Sequence, residues 1–281
     1  NPDELRADVL GCYGDLISQT PNIDRLAREG TRFVQCHAQH TVCTPSRCSF
    51  MSGWYPHVAG HRTLWNPLQG YEPNTMRCLR EAGYKVHWFG KNDCLSPEAL
   101  QSSVDTIYGS REPTGNSSSL FNQNEPGYYS FLRGPMDGPP RDEHIYKRAE
   151  KMIRDHSKGD PPFFMFLATS FPHPIYTAPQ PWYDMYDPVQ LPSLRKVRGS
   201  GGPDFHDLIR SYRNLDKVDE EVLRKVRAVY LGMVSYVDHL IGNLLKTLEE
   251  TGKMDDTAIF LFSDHGDWAG DYGLVEKWPS G

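Results

Sequence analysis

The chain has 281 residues, enough for one large domain or two small ones. Its 38% hydrophobic, 12% aromatic and 23% charged content is that of an ordinary globular chain, and the formal net charge of −6 argues against a nucleic-acid binder, whose footprint is a basic face. No uninterrupted apolar run reaches the roughly 18–20 residues of a membrane span, and six cysteines in this length do not make a disulfide scaffold, although one or two unassigned bridges are compatible with them.

The first residues, NPDELRADVLGCYG, follow no apolar strand, and the sequence stops just after VEKWPSG. The expectation is a single domain over 1–281 with both ends missing, a first strand among them. TPNIDRLAREG (20–30) combines a Thr-Pro start, helical spacing of Ile, Leu and Ala, and a terminal Gly, which predicts a short capped helix. TRFVQCHA (31–38) reads as a strand. HTVCTPSRCSFMSG (40–53) places Pro45 in the first turn of a helix that Gly53 ends. PNTMRCLREAG (73–83) is a further helix closed by Gly, and YKVHWFG (84–90) a strand. RDEHIYKRAEKMIRDH (141–156) is an amphipathic helix and PFFMFLATS (162–170) a nearly continuous apolar strand. The segment 219–252 is a long helix with apolar residues at 3–4 spacing, and TAIFLFSD (257–264) another apolar strand. Strands apolar on both faces and alternating with helices imply a parallel sheet flanked by helices. The Gly-, Pro-, Ser- and Asn-rich stretch 109–140 and the irregular stretch 187–216 read as long surface loops. The sequon Asn116-Ser117-Ser118 arises too easily by chance to fix the compartment, which stays open between periplasmic or secreted and cytoplasmic.

In an open α/β sheet, ligands bind beyond the carboxyl ends of the strands, so polar residues that follow strands are the candidates. Asp3 and Glu4 sit where a first strand would end, and Cys43 follows FVQCHAQHTV. Lys91, Asn92 and Asp93 follow KVHWFG; His173 follows FFMFLATSFP; Asp264, His265 and Asp267 follow AIFLFS. Singly, each has a plain structural explanation: turn chemistry for Asp264-His265-Gly266, a solvated charge for Lys91, a rigid Pro-flanked loop for His173. Together they bring a thiol, a lysine, histidines and carboxylates to one sheet edge. The helix after Cys43 adds free N–H groups and a partial positive charge. Arg47 adds a planar cation suited to a tetrahedral oxyanion. The pattern is an anion site around one reactive side chain.

CTPSRCSFMSG resembles the signature of the type I, formylglycine-dependent sulfatases of the alkaline-phosphatase superfamily: Cys-x-Pro-Ser-Arg, a short helix and a Gly. The resemblance continues in family order through PDELRADVLGCYG, TPNIDRLAREGTRF, GWYPHVAGH, LREAGYKVHWFGK, PFFMFLATSFPHPIYTAP and LFSDHGDWAGDYGLVEK, from residue 2 to residue 277. It implies an alkaline-phosphatase-like α/β fold and a sulfuric ester hydrolase that splits a carbohydrate or aryl sulfate into an alcohol and inorganic sulfate. It also implies that the single domain is catalytic and that the missing C-terminal part is a smaller subdomain. Carried over, Cys43 is the precursor of Cα-formylglycine, whose hydrate is the nucleophile, and Arg47 steadies that hydrate. Asp3, Glu4, Asp264 and His265, with the formylglycine oxygen at Cys43, bind a divalent metal, usually Ca²⁺; a histidine in the set leaves Mg²⁺ or Mn²⁺ open. Lys91 and Lys277 hold sulfate oxygens, His173 contacts the sulfate or the departing alcohol, and His173 or a lysine protonates that alcohol. A formylglycine-generating or sulfatase-maturing enzyme is the implied partner. Two departures stand out. Glu4 replaces the usual second aspartate. GKND puts Asp93 where relatives carry a histidine that assists the formylglycine, so that Asp93, or else His57, His61 or His87, takes that proton.

The rival readings are a phosphate or phosphonate monoester hydrolase of the same superfamily, an inactive truncated fragment or binding protein, and a structural zinc module. The last uses Cys43, Cys48, His57 and His61, whose C-x4-C-x8-H-x3-H spacing is shorter than the usual roughly 12 residues between pairs. Trp54, Tyr55, Trp65 and Trp88 near the motifs point to a sugar as the sulfated alcohol, against packing as their plainer role.

Overall fold

A computed structural model describes residues 1–109, 131–196 and 203–277. Its centre is a four-stranded sheet in the order β1-β4-β2-β3, with every pairing parallel: β1 (Pro2–Asp3), β2 (Lys85–Gly90), β3 (Thr106–Tyr108) and β4 (Phe163–Pro172). The register runs from Lys85 opposite Phe163 to Gly90 opposite Ala168. Alternate residues serve opposite faces, as a two-sided buried sheet requires. Val86, Trp88, Phe166 and Ala168 pack with Cys48, Met51, Met76 and Ala99 from three helices, α2 (Cys43–Ser52), α3 (Thr75–Glu81) and α4 (Pro97–Ser103). Phe89 turns the other way, onto Ile145 and Ala149 of α5 (Arg141–Asp155). The long α7 (Glu220–Glu250) packs on β4 and α5 and against α1 (Pro21–Glu29). The parallel, helix-flanked sheet expected from the sequence is therefore the architecture.

By length and composition α7 is apolar enough to cross a membrane, against the expectation that no apolar stretch comes near that length. Here 78% of that window is buried among the other elements, so it is the core helix of this fold. Its Gly232 lies against the turn at Trp182, where an added Cβ would stand 2.1 Å from Trp182 O.

Three segments differ from the sequence reading. Residues 31–38 form no strand: they are exposed, with Phe33 and Val34 in solvent, and no strand lies beside them to complete a ladder. Residues 257–263 are not laddered either. They run beside residues 1–5, which form a strand only two residues long, so side chains make the link instead. Asn1 Nδ2 donates to Phe262 O at 3.0 Å and Ser263 Oγ to Pro2 O at 3.2 Å. The stretch 187–216 is not wholly irregular, since it carries α6 (Asp204–Tyr212). Of the loop 109–140, residues 110–130, with the sequon at Asn116, lie outside the described residues. All six cysteines are free thiols, so no bridge forms.

Candidate active site

The carboxyl ends of the strands meet as expected. Asp3 closes β1 and Glu4 follows it, Lys91 follows β2, and His173 follows β4. Gly90 makes the exit of β2 possible: its φ is +91°, and a Cβ there would stand 2.2 Å from Ala168 O. That close approach lets Lys91 N donate to Ala168 O at 2.8 Å and aims the lysine inward. The helix α2 begins at Cys43 itself, with Pro45 in its first turn as expected, so Cys43 lies with the free N–H groups. Gly53 (φ 75°) ends it in the left-handed conformation.

Cys43 is 2% exposed. Around its Sγ stand His265 Nε2 at 3.4 Å, Asp3 Oδ1 at 3.7 Å and Lys91 Nζ at 3.8 Å. Burial and the negative charge of Asp3 push the thiol up to about 12, so at neutral pH it stays protonated. Arg47, one helical turn on, is fully buried. Its Nε donates to Asp264 Oδ2 at 2.8 Å, while Nη1 and Nη2 have no hydrogen-bond partner. Nη2 stands 3.5 Å from Asp3 Oδ2 as an ion pair, and the two buried donors, without hydrogen bonds beside a reactive position, are a socket for an oxyanion or a hydroxyl.

The charged groups interlock in pairs. Lys91 bonds Asp3 and, at 2.7 Å, Asp93 Oδ2. Burial opposes ionisation of Asp3, but Lys91 and Arg47 outweigh it and hold the carboxyl well below its ordinary range. Burial likewise opposes the Lys91 ammonium, and Asp3, Cys43 and Asp93 raise it nonetheless. Lys277 donates to Glu4 Oε1 and, at 2.8 Å, to His173 Nε2. His173 Nδ1 lies 2.5 Å from Pro174 O, a pure acceptor, so the ring proton is on Nδ1 and the Nε2 lone pair faces the ammonium. Burial, then the charge of Lys277, keeps that imidazole neutral, well below its ordinary value.

Asp3, Glu4, Cys43 and His265 offer ligand atoms that all lie within 4.8 Å of one another, and among the described residues no other cluster of this kind occurs. The donor chemistry suits a cation. His265 Nδ1 donates to Gly266 O at 2.9 Å, which leaves its Nε2 lone pair facing Asp264 Oδ2 at 3.6 Å and Asp3 Oδ1 at 3.7 Å. The donors among these acceptors are the neutral Cys43 thiol, Lys91 and Arg47, and Glu4 Oε2 is buried without a hydrogen-bond partner. Asp264 flanks the cluster, its Oδ1 accepting from Glu4 N and His265 N.

The structure thus brings together Asp3, Glu4, Cys43, Arg47, Lys91, His173, Asp264, His265 and Lys277. Asp93 stands behind Lys91, and the imidazole next to Cys43 is that of His265. His61 is sequestered by Glu72 Oε1 and Asn66 O, His87 bonds Thr106 Oγ1, and His57 stacks on Tyr55 in solvent. With Cys48 Sγ directed to Cys94 O, the four residues of the zinc reading do not converge. Trp88 is a core residue tilted against Phe166 and unavailable to a sugar, whereas Trp65 and Tyr55 are exposed. Sequence reasoning did not single out Tyr176 or Tyr230, whose hydroxyls bond the site's backbone, or Ser46, whose Oγ donates to Asp264 O at 2.5 Å. Tyr176, three residues after His173, was the one with a positional signal.

The architecture and this edge are those of the alkaline-phosphatase-like α/β proteins. The sulfatase family model matches residues 2–278, and the chain belongs to that family. It is similar to the multifunctional alkaline phosphatase superfamily protein PehA of Trinickia caryophylli, with 27% identity over 92% of this chain and 59% of the relative. It is also similar to iduronate 2-sulfatase of Mus musculus, with 27% identity over 99% and 55%. Among solved structures, the phosphonate monoester hydrolase of Agrobacterium radiobacter superposes with a TM-score of 0.75 at 21% identity, covering 98% of this chain and 63% of that one. A structure described as a complex with its substrate D-glucosamine-2-N,6-O-disulfate gives 0.73, at 21% identity over 98% and 66%. The chain spans 55–59% of the length of the two curated relatives just named.

Proposed function

We propose that the chain is the catalytic domain of a sulfuric ester hydrolase that cleaves a carbohydrate or aryl sulfate monoester, with residue 43 acting as formylglycine. The observation that carries this reading is the company of Cys43: a buried, protonated thiol in the first turn of α2, amid four cationic or metal-facing side chains. A thiol held near 12 is a poor nucleophile at neutral pH, which favours use of the position in modified form. As a hydrate, formylglycine supplies an oxygen nucleophile that can later release sulfate by re-forming its carbonyl. A divalent cation, Ca²⁺ or else Mg²⁺ or Mn²⁺, held by Asp3, Glu4 and His265 with Asp264 beside them, supplies positive charge at the sulfuryl oxygens.

The chain's own residues do the rest. Arg47 Nη1 and Nη2 orient the hydroxyls at position 43, and Lys91, anchored between Asp3 and Asp93, offsets charge on the sulfuryl group. Lys277 carries the proton that the departing alkoxide needs, and the neutral His173 Nε2, already its acceptor, keeps that ammonium aimed. Asp93 acts through Lys91. The maturing partner is an enzyme that oxidises the thiol.

Mass spectrometry of the tryptic peptide holding residue 43, from material co-expressed with such an enzyme, is expected to show a loss of about 18 Da as the thiol becomes an aldehyde. Cys43→Ala is expected to abolish aryl sulfate turnover with an unchanged circular dichroism spectrum. Retained turnover would remove position 43 from the mechanism. A second reading, a phosphonate or phosphate monoester hydrolase, is favoured by the likeness to the Agrobacterium hydrolase. Parallel rates on aryl sulfate, phosphate and phosphonate esters decide between the two.

A further inference from the structure

Two residues at this edge have left-handed backbones that side chains other than glycine rarely adopt, Glu4 (φ 65°) and Glu276 (φ 59°). Glu4 supplies the carboxylate of the buried ion pair, and Glu276 immediately precedes Lys277, which supplies the ammonium. A buried tyrosine hydroxyl holds each. Tyr230, on α7, donates to Glu4 O at 2.7 Å and accepts from Arg6 N at 3.0 Å, bridging the turn from both sides. Tyr176 donates to Asp267 Oδ1 at 2.8 Å and accepts from Glu276 N at 2.9 Å. Each hydroxyl has a single proton, so one donated and one accepted bond fix its orientation. The two rings are fully buried and meet edge to face, with centroids 6.4 Å apart and planes at 76°.

A phenylalanine would fill the same volume and bury no polar atom. The hydroxyls are there for the backbones they bond, and each of those backbones carries one half of the Glu4–Lys277 pair. We infer that Tyr176 and Tyr230 are a coupled pair of positioning residues that hold Glu4 and Lys277 in register with Cys43 by securing the two left-handed turns. Neither touches the reacting atoms. Through Glu4 the pair sets the readiness of the carboxylate cluster for a cation, a consequence that rests on the functional reading above, whereas the geometric claim does not.

The test compares Tyr176→Phe, Tyr230→Phe and a control, Tyr236→Phe, in the 281-residue chain. Tyr236 is also a buried α7 tyrosine, but its hydroxyl donates to Glu143 Oε2 at 2.6 Å, away from the pair. Hydrogen–deuterium exchange is expected to rise over residues 268–277 in Tyr176→Phe and over residues 1–8 in Tyr230→Phe, and in neither for the control. Calcium titration by calorimetry is expected to show affinity about tenfold or more weaker in both variants, the usual effect of removing a group that orients a ligand. The control is expected to bind as the wild type does. Unchanged local exchange in both variants, or calcium affinity equal to wild type in both, overturns the assignment. If the wild-type chain binds no calcium, the metal reading fails, and the exchange comparison by itself decides the positioning role.

Discussion

Asp142, in the first turn of α5, accepts from Phe171 N at 2.7 Å and Ser170 N at 2.8 Å with one oxygen, while the other is buried without a partner. It thereby shapes the end of β4 just before His173. Burial outweighs those two bonds and raises the carboxyl from 3.8 to about 6. An acid whose folded value lies above its unfolded value binds more protons in the native state, so stability is greatest below about 4 and falls as pH rises to about 6. The loss is on the order of 2–3 kcal/mol. Asp142→Asn keeps an acceptor for both amides and is expected to abolish this fall, so that wild type and variant differ more at pH 7 than at pH 4 in urea denaturation. Equal differences at the two pH values would remove Asp142 from the account. Residues such as Asp142, Tyr176 and Tyr230 were illegible in the sequence for a physical reason: an acid at a helix start reads as a dipole partner, and a tyrosine in an apolar stretch reads as packing. Cys43, Arg47, Lys91 and His265 were legible because their chemistry is costly to place after an apolar strand without a task.

At the scale of elements, five helices were read from starts and stops that carry local chemistry: Pro21 opens α1, Gly53 ends α2, and Asn74 caps α3 by accepting from Arg77 N. By contrast, α4 was not read despite its Ser96 cap, and α6 lay in a stretch read as loop. Strands depend on a neighbour, which composition does not reveal. TRFVQCHA and TAIFLFSD have the apolar content of strands but no laddered neighbour, whereas KVHWFG and FFMFLATSFP lie side by side and are strands. The packing of α7 adds a test. With Trp182 O 2.1 Å from the position a Cβ would take, Gly232→Ala must push the 182–184 turn away from the helix. A destabilisation of about 2–3 kcal/mol is expected despite the better helix propensity of Ala. It is read as a lower urea midpoint at unchanged slope. A stabilised variant would show that this contact is not tight.

Over the whole molecule, the net charge of −6 gives no hint of the balance inside the site, where Asp3, Glu4 and Asp264 face Arg47, Lys91 and Lys277. The charged groups largely answer one another, and Glu4 Oε2 is left buried without a hydrogen-bond partner, a place that a further cation would serve. Calcium at about 100 times its dissociation constant should stabilise the fold by about 2.7 kcal/mol. Chelation is therefore expected to lower the melting temperature by about 5 °C. No shift on adding EDTA or excess calcium would argue that the cluster is neutralised by the lysines alone. The general architecture was visible in advance because parallel sheets have a strong signature, and so was the gathering of residues 3 to 277 at one edge; the pairing of their charges was not, because it depends on where loops travel.

The depth of Cys43 also sets an order of events. With 2% of its surface in contact with solvent, and Lys91, His265 and Asp3 packed about its sulfur, the thiol is out of reach of any other protein once the chain has closed. On the proposal that another enzyme oxidises this position, that reaction would have to precede closure, on a segment still extended enough to enter a foreign cleft. On the same proposal, molecules that fold first would keep their sulfur, and the ratio of aldehyde to thiol at residue 43 would report the order of folding and oxidation.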